Sequence, residues 1–199
     1  MIEKQLLDSG IRLIAGVDEA GRGACAGPLV IAALILQDPL DVALSGVKDS
    51  KLLSPKDRED LFDVILEHAL SHSIITISPE EIDSKGLHKS NIEGMRRAIN
   101  TLDVSPEYVL TDGYEVPGMA IPNLAVWKGD QVALTISAAS IIAKVFRDRL
   151  MVELDNQYPG YGLAEHKGYV TKSHTNAMEN LGVTMIHRKS YSNVAKLSQ

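Results

Sequence analysis

Two apolar runs joined by an acidic, glycine-rich turn constrain this chain more than any other feature. Leu13-Ile14-Ala15-Gly16-Val17 and Pro28-Leu29-Val30-Ile31-Ala32-Ala33-Leu34-Ile35-Leu36 read as buried strands over 11–17 and 28–36. Between them stands Asp18-Glu19-Ala20-Gly21-Arg22-Gly23. Two adjacent acids where a core strand emerges repel each other, and desolvation disfavours their ionised forms. A bound cation resolves both problems. The glycines let the backbone approach a ligand closely, and the arginine between them suits phosphate. Together these features point to phosphodiester chemistry.

Adjacent residues of a regular strand point to opposite faces. Asp18 and Glu19 therefore share one site only if the chain leaves strand geometry there, and Gly21 and Gly23 make that departure plausible. The spacing of Gly21, Gly23 and Gly27 is one residue too long for the dinucleotide fingerprint, and the turn leads to a strand rather than a helix. Two readings stay open: a tight turn, or a backbone clamp around a sugar-phosphate.

Along the rest of the chain, Ser54-Pro55 predicts a helix start, running to about His72, with Leu61, Val64, Ile65 and Ala69 on its apolar face. Ser73–Ile77 is a short β-rich run, and Ser78-Pro79-Glu80-Glu81 is a capping pattern for a brief helix. A helix is expected over about 90–102, then strands over 107–111 and 124–127, the first ending at Asp112-Gly113 and the second at Lys128-Gly129-Asp130. A long helix follows over about 132–156, broken by Tyr158-Pro159-Gly160-Tyr161-Gly162. A last helix runs over about 171–181, with Gly182 past its end. Strands first, then strands interleaved with helices, predict an α/β or α+β sheet.

Asp18, Asp112 and Asp130 share one placement, each after an expected strand, where open α/β sheets gather their sites. With Glu19 they form an oxygen-rich set of the kind Mg²⁺ or Mn²⁺ prefers. Taken singly, Asp112 also reads as a turn residue and Asp130 as a helix cap; the joint pattern makes the metal reading competitive. In the long helix, Ser137, Ser140, Lys144 and Asp148 fall on one stripe. They suit either a polar site or serines bonded back to their own helix. His166-Lys167-Gly168-Tyr169 and His187-Arg188-Lys189-Ser190-Tyr191 interleave aromatic and basic groups, which suits sugars, bases and phosphates. A zinc site fits poorly, because the histidines are widely spaced and Cys25 is remote in sequence.

Charge bears on this reading. The chain of 199 residues carries −6 overall, but residues 158–199 hold five Lys/Arg against two acids, leaving −9 on 1–157. An acidic body with a basic tail segment suits a polyanion, although from charge alone a solvated basic face is the commoner case. One cysteine excludes an internal disulfide and fits a reducing, cytoplasmic setting. No run is long enough to span a membrane, and the start lacks a signal-peptide layout.

The ordered set Gly16-Val17-Asp18-Glu19-Ala20-Gly21-Arg22-Gly23, Lys48-Asp49-Ser50-Lys51, Asp112-Gly113, Lys128-Gly129-Asp130, Ser137-Ala138-Ala139-Ser140-Ile141-Ile142-Ala143-Lys144, Tyr161-Gly162, His166-Lys167-Gly168-Tyr169 and His187-Arg188 resembles the bacterial ribonuclease HII family. The resemblance spans about 14–191. It implies an α/β, ribonuclease-H-like fold: a central mixed β-sheet flanked by helices. It divides the chain into a catalytic body, 1–157, and a small basic C-terminal helical extension, 158–199, that contributes to substrate binding. It implies metal-site acids at Asp18, Glu19, Asp112 and Asp130, holding Mn²⁺ or Mg²⁺. It places a ribonucleotide-reading turn at Gly21, Arg22 and Gly23, a junction-sensing tyrosine at Tyr169, and phosphate or active-site contacts at Lys51 and Lys144. The implied substrates are RNA–DNA hybrids and duplex DNA with embedded ribonucleotides, cut to 5′-phosphate and 3′-hydroxyl ends by a monomer with no membrane partner. Ala24-Cys25 departs from a place where the family often has proline and a bulky apolar residue, and Tyr191 from a common phenylalanine. No sliding-clamp-binding peptide is recognisable over 196–199.

Two rivals use the same features. An actin-like sugar kinase also has an acid and glycines after a strand, but it needs room for two lobes. A non-catalytic nucleic-acid-binding module would have four acids repelling phosphates. Metal-dependent nicking of a ribonucleotide-containing duplex discriminates among all three.

Overall fold

The computed structural model describes residues 2–47, 50 and 53–197. Lys51, one of the expected phosphate contacts, lies outside them, as do Lys48 and Asp49. The described residues form a five-stranded mixed sheet in the order β3-β2-β1-β4-β5. Its strands are β1 (Ile14–Ala20), β2 (Leu29–Leu36), β3 (Ala69–Ile77), β4 (Tyr108–Asp112) and β5 (Asn123–Val126). β1 pairs antiparallel with β2 and parallel with β4; β2–β3 is antiparallel and β4–β5 parallel. The expected α/β class with a central mixed sheet flanked by helices is what folds.

β2 explains the layering. All eight of its residues are buried, because both faces of the strand are covered. Val30, Ala32, Leu34 and Leu36 face one cluster with Phe62 and Ile65 of α2 (Pro55–His68) and Ala138, Ile141 and Ile142 of α6 (Leu134–Gln157). Leu29, Ile31, Ala33 and Ile35 face the other, with Ile82 of α3 (Pro79–Lys85) and Met95, Ala98 and Ile99 of α4 (Leu87–Asn100). α6 approaches β1 so closely that a Cβ on Gly16 would lie 2.1 Å from the Thr135 carbonyl carbon. The start of α6 is held from below by Glu3 of α1 (Ile2–Asp8), whose buried Oε1 accepts from the Thr135 amide and hydroxyl.

Several boundaries differ from the sequence reading, each for a physical reason. The Ser54–Pro55 start of α2 holds, as a capping box with Asp57, but the helix ends at His68 rather than His72. From Ala69 the chain pairs along the whole of β2, and that buried partner outweighs local helical pattern. β1 continues past Val17 and includes both acids. Ala133 adopts an extended conformation, so the long helix begins at Leu134 and a separate short turn, α5 (Gly129–Val132), carries Asp130. After residue 157 come α7 (Leu163–His166), α8 (Lys172–Leu181) and α9 (Ser192–Ala195). They enclose a third cluster, in which Leu163, Met178, Ile186 and Val194 meet Cys25, Ala26 and Met151. None of the described helices is long and apolar enough to cross a membrane.

Candidate active site

The site forms where the sheet forks. β1 keeps its pairing with β2 through Ala20, yet its pairing with β4 stops at Val17–Thr111. Asp18 and Glu19 thus stay in strand geometry on one side only, and the other side opens beside Asp112, the last residue of β4. This one-sided fork replaces the expected departure from the strand. β5 runs parallel to β4, so its C-terminal end brings Asp130 to the same edge. The four acids arrive from three parallel strand ends, the general location of sites in open α/β sheets.

Asp18 is buried, and its Oδ1 accepts the Glu19 amide at 2.7 Å. Burial, followed by the charges of Glu19 and Asp112, holds its carboxyl well above the usual range; the Glu19 amide and Ser140 act against that rise. Asp112 Oδ1 accepts the Gly129 amide at 2.7 Å. Asp130 is buried, and its main-chain oxygen accepts from Ser137 Oγ at 2.8 Å. Among the described residues, no group of three or more His, Cys, Asp or Glu side chains is arranged to hold a metal ion as the side chains stand. The donor chemistry nevertheless fits a hard divalent cation. Three carboxylates interact strongly enough to oppose ionisation of the most buried one, and a cation relieves that penalty.

A cavity of about 240 Å³ opens over three of the four acids, lined by Asp18, Glu19 and Asp112 with Gly21, Arg22 and Tyr169, and Asp130 is not among its lining residues. Ser50 and Ser140 share its wall through a 2.9 Å hydroxyl contact. Lys144 also lines it, in a 2.7 Å ion pair with Asp148, while desolvation pulls its ammonium below the usual lysine range. The stripe on α6 is therefore divided. Ser137 also bonds back to Ala133 and steadies Asp130, whereas Ser140 and Lys144 face the cavity.

Two buried arginines fasten the glycine-rich turn. Arg147 donates to the carbonyls of Pro28 at 2.9 Å, Lys167 at 2.9 Å and Ala26 at 3.1 Å. Arg188 donates to Gly27 and Arg22 carbonyls and to Tyr191 Oη, which itself donates to the Arg22 carbonyl. Gly21 has φ +88°, and a Cβ there would lie 1.8 Å from Arg147 Nε. Ala24 and Cys25, the family departure, are fully buried beneath the turn, and the Cys25 amide donates to Gly168 at 2.9 Å. The Arg22 guanidinium bonds to Tyr114 Oη and lies 4.4 Å from that ring's centre.

Left-handed backbone at Lys167 and Gly168 turns Tyr169 toward Gly23, whose ideal Cβ would be 3.7 Å from the ring. Beneath it lies a histidine network. His187 Nδ1 accepts the Thr184 amide, so Nε2 carries the proton toward His174 Nε2 at 3.2 Å. His174 in turn donates from Nδ1 to the Tyr169 carbonyl at 3.0 Å. His166 stacks on His174 at 4.3 Å. His187 and Arg188 are interior groups, which corrects the expectation that their segment meets nucleic acid through these side chains, and His174 is interior as well.

The sequence reading missed Arg147, Tyr114 and the anchoring role of Arg188 and Tyr191. One signal was present: Arg147 interrupts the buried stripe Ala139, Ala143, Met151 at four-residue steps. An arginine there needs carbonyl partners.

The family profile described as ribonuclease HII matches residues 15–194. A ribonuclease HII of Corynebacterium jeikeium (strain K411) is 56% identical over 195 residues, covering 98% of this chain and 94% of that protein. The chain belongs to the ribonuclease HII family. The crystal structure of ribonuclease H2 from Pyrococcus horikoshii OT3 superposes with a TM-score of 0.81 at 30% identity, over 93% of this chain and 96% of that one. Bst-RNase HIII in complex with Mn²⁺ shares the fold, with a TM-score of 0.71 at 20% identity over 93% and 68% of the two chains. As a ribonuclease HII family member, the chain is a ribonuclease H hydrolase, from a family that cleaves the RNA of RNA–DNA hybrids.

Proposed function

We propose that this chain is an endoribonuclease that also cuts on the 5′ side of single ribonucleotides embedded in duplex DNA, leaving 5′-phosphate and 3′-hydroxyl ends. The observation that carries this reading is the Gly21–Gly23 turn, fixed by two buried arginines against a carboxylate cluster and faced by Tyr169. A fixed backbone beside the reacting phosphate can read a 2′-hydroxyl, the mark that separates RNA from DNA. Tyr169 stacks on the sugar after the ribonucleotide and prefers deoxyribose there, because a 2′-hydroxyl would crowd the ring.

Asp18, Glu19, Asp112 and Asp130 would hold the divalent cation, Mg²⁺ or Mn²⁺, since carboxylate oxygens are the donors these hard ions prefer. When bound, such ions supply an activated water and stabilise charge on the leaving 3′ oxygen. Arg22 stays packed on Tyr114, so its role is to hold the turn rather than to reach far into solvent. Lys144, paired with Asp148 at the cavity wall, is positioned to exchange that carboxylate for a substrate phosphate. Lys51 joins it as a phosphate contact. Residues 158–199 act as a substrate-binding extension of the body over 1–157, through Tyr169 and the exposed Lys172 and Lys189. The enzyme works as a monomer in the cytoplasm.

The test compares an all-DNA duplex with one holding a single ribonucleotide. Metal-dependent nicking of the second alone supports the reading; cleavage confined to continuous RNA–DNA hybrids overturns its finer part.

A further inference from the structure

Trp127 is the only tryptophan of the chain, and it is 82% exposed. An indole exposed to this degree contributes little to the core, so its place beside the site is what bears on a role. Its position is tightly set. Val126 before it closes β5 and accepts the Gly113 amide at 3.0 Å. Lys128 after it adopts left-handed backbone, φ 54° and ψ 46°, which is costly for a side chain with a Cβ. The next amide, Gly129, is fixed on Asp112, and a Cβ there would lie 2.4 Å from Ile136 Cδ1. A strained turn, anchored to a site carboxylate, thus presents Trp127 to solvent.

The tryptophan lines a second cavity of about 380 Å³ with Lys128, Asp130 and Tyr114. Glu19, Arg22 and Asp112 line both this cavity and the one that holds Tyr169. Through these shared residues the two cavities adjoin at Glu19 and Asp112, as two arms about the carboxylates. Tyr169 stands in one arm, and Trp127 with Tyr114 in the other.

We propose that Trp127 is a substrate-positioning residue. It packs against the nucleotide on the 5′ side of the cut, while Tyr169 meets the 3′ side, and Lys128 adds a phosphate contact beside it. The placement rests on the proposed direction of the strand past Tyr169. The occupant is nucleic acid because the arm is continuous with the site where this family's substrate reacts. An exposed indole beside a lysine also matches a stacking platform with a backbone contact.

The test measures kcat and KM for the full chain and Trp127→Ala on three kinds of duplex: a ribonucleotide-containing duplex with long arms, the same duplex trimmed 5′ of the ribonucleotide, and one trimmed 3′ of it. Removing one stacking partner should raise KM by roughly tenfold with kcat little changed. That defect should vanish on the 5′-trimmed duplex, where the unaltered chain loses the same advantage, and persist on the 3′-trimmed one. Trp127→Phe should restore most of the affinity. The tryptophan emission of the unaltered chain should also change on saturation with duplex. An equal defect on all duplexes, a defect lost only on 3′ trimming, or unchanged emission would overturn the proposal. So would a lowered unfolding temperature in Trp127→Ala, which would mark a packing role. The same comparison on a continuous RNA–DNA hybrid keeps the two outcomes distinct: failure of single-ribonucleotide cleavage removes the finer function, and Trp127 is still judged on the hybrid.

Discussion

At Asp18, burial and two neighbouring carboxylates oppose ionisation together. Asp18→Asn removes one charge from that set, and so does Asp112→Asn. Each should lower turnover by at least about a hundredfold, the scale of losing a group that acts on the reacting centre, with the fold intact. Duplex affinity should hold or improve as repulsion of phosphates falls. Near-normal cleavage by either variant at saturating Mg²⁺, in a chain with an unchanged unfolding transition, would remove the residue from the site. Arg147 is the structural counterpart. Arg147→Met leaves the Pro28, Lys167 and Ala26 carbonyls without their shared donor. Stability should fall by about 3 kcal/mol or more in denaturant unfolding. Arg147→Lys should recover little, since an ammonium lacks the planar fork that reaches three acceptors.

At the scale of elements, the strand fork and the segment under Tyr169 decide the site. The acids and the glycine turn were legible in the chain, because costly residues at a strand end have few explanations. The fork was not, because it depends on where β4 stops pairing, 94 residues beyond Val17 at Thr111. The arginine clasps were equally hidden: Arg147 meets Pro28 across 119 positions and Arg188 meets Arg22 across 166. The histidines were misread for the opposite reason. Their neighbouring lysines and tyrosines suggest a surface, yet His174 of α8 and His187 are buried, with His174 Nδ1 3.6 Å from Cys25 Sγ. Burial and then the neighbouring His174 push His187 down to about 4. The Thr184 backbone acts against that fall without reversing it. In the unfolded chain the ring titrates near its ordinary value of about 6.5. The folded form therefore gains stability in full above that value and loses it as pH falls toward 4. Thermal unfolding across pH 4–7 should show a loss on the order of 2 kcal/mol that His187→Gln reduces. An identical pH slope in that variant would contradict the assignment.

For the whole molecule, net charge misleads unless it is placed. The chain is −6 overall, yet four of its 26 acids gather at the fork, and the exposed Lys172, Lys189 and Lys196 lie in the C-terminal segment. Arg188, counted in that segment's charge, is buried in the clasp and contributes no surface contact. The affinity for duplex should fall with added salt, since bound lysines release condensed counterions. Replacing Lys167 and Lys172 with glutamine should flatten the slope of log affinity against log salt by roughly 0.9 for each phosphate no longer neutralised. An unchanged slope would turn the segment away from nucleic acid. Tyr169→Ala tests how the extension joins the body. Cleavage at a single embedded ribonucleotide should suffer more than cleavage of continuous RNA paired with DNA, with little change in unfolding temperature. Equal losses would leave Tyr169 as packing.

The most direct measurement follows one strand through the reaction. A duplex with a single ribonucleotide, labelled on either end, is incubated with the chain and Mg²⁺ or Mn²⁺, beside an all-DNA control and the Asp18→Asn variant. One cut is expected, on the 5′ side of the ribonucleotide, with a 3′-hydroxyl upstream and a 5′-phosphate downstream. The all-DNA duplex, and the ribonucleotide duplex given the variant, should stay intact. A cut at another position, a cut without added metal, or an intact ribonucleotide duplex with the unaltered chain would contradict a metal-dependent, ribonucleotide-reading site at the strand fork.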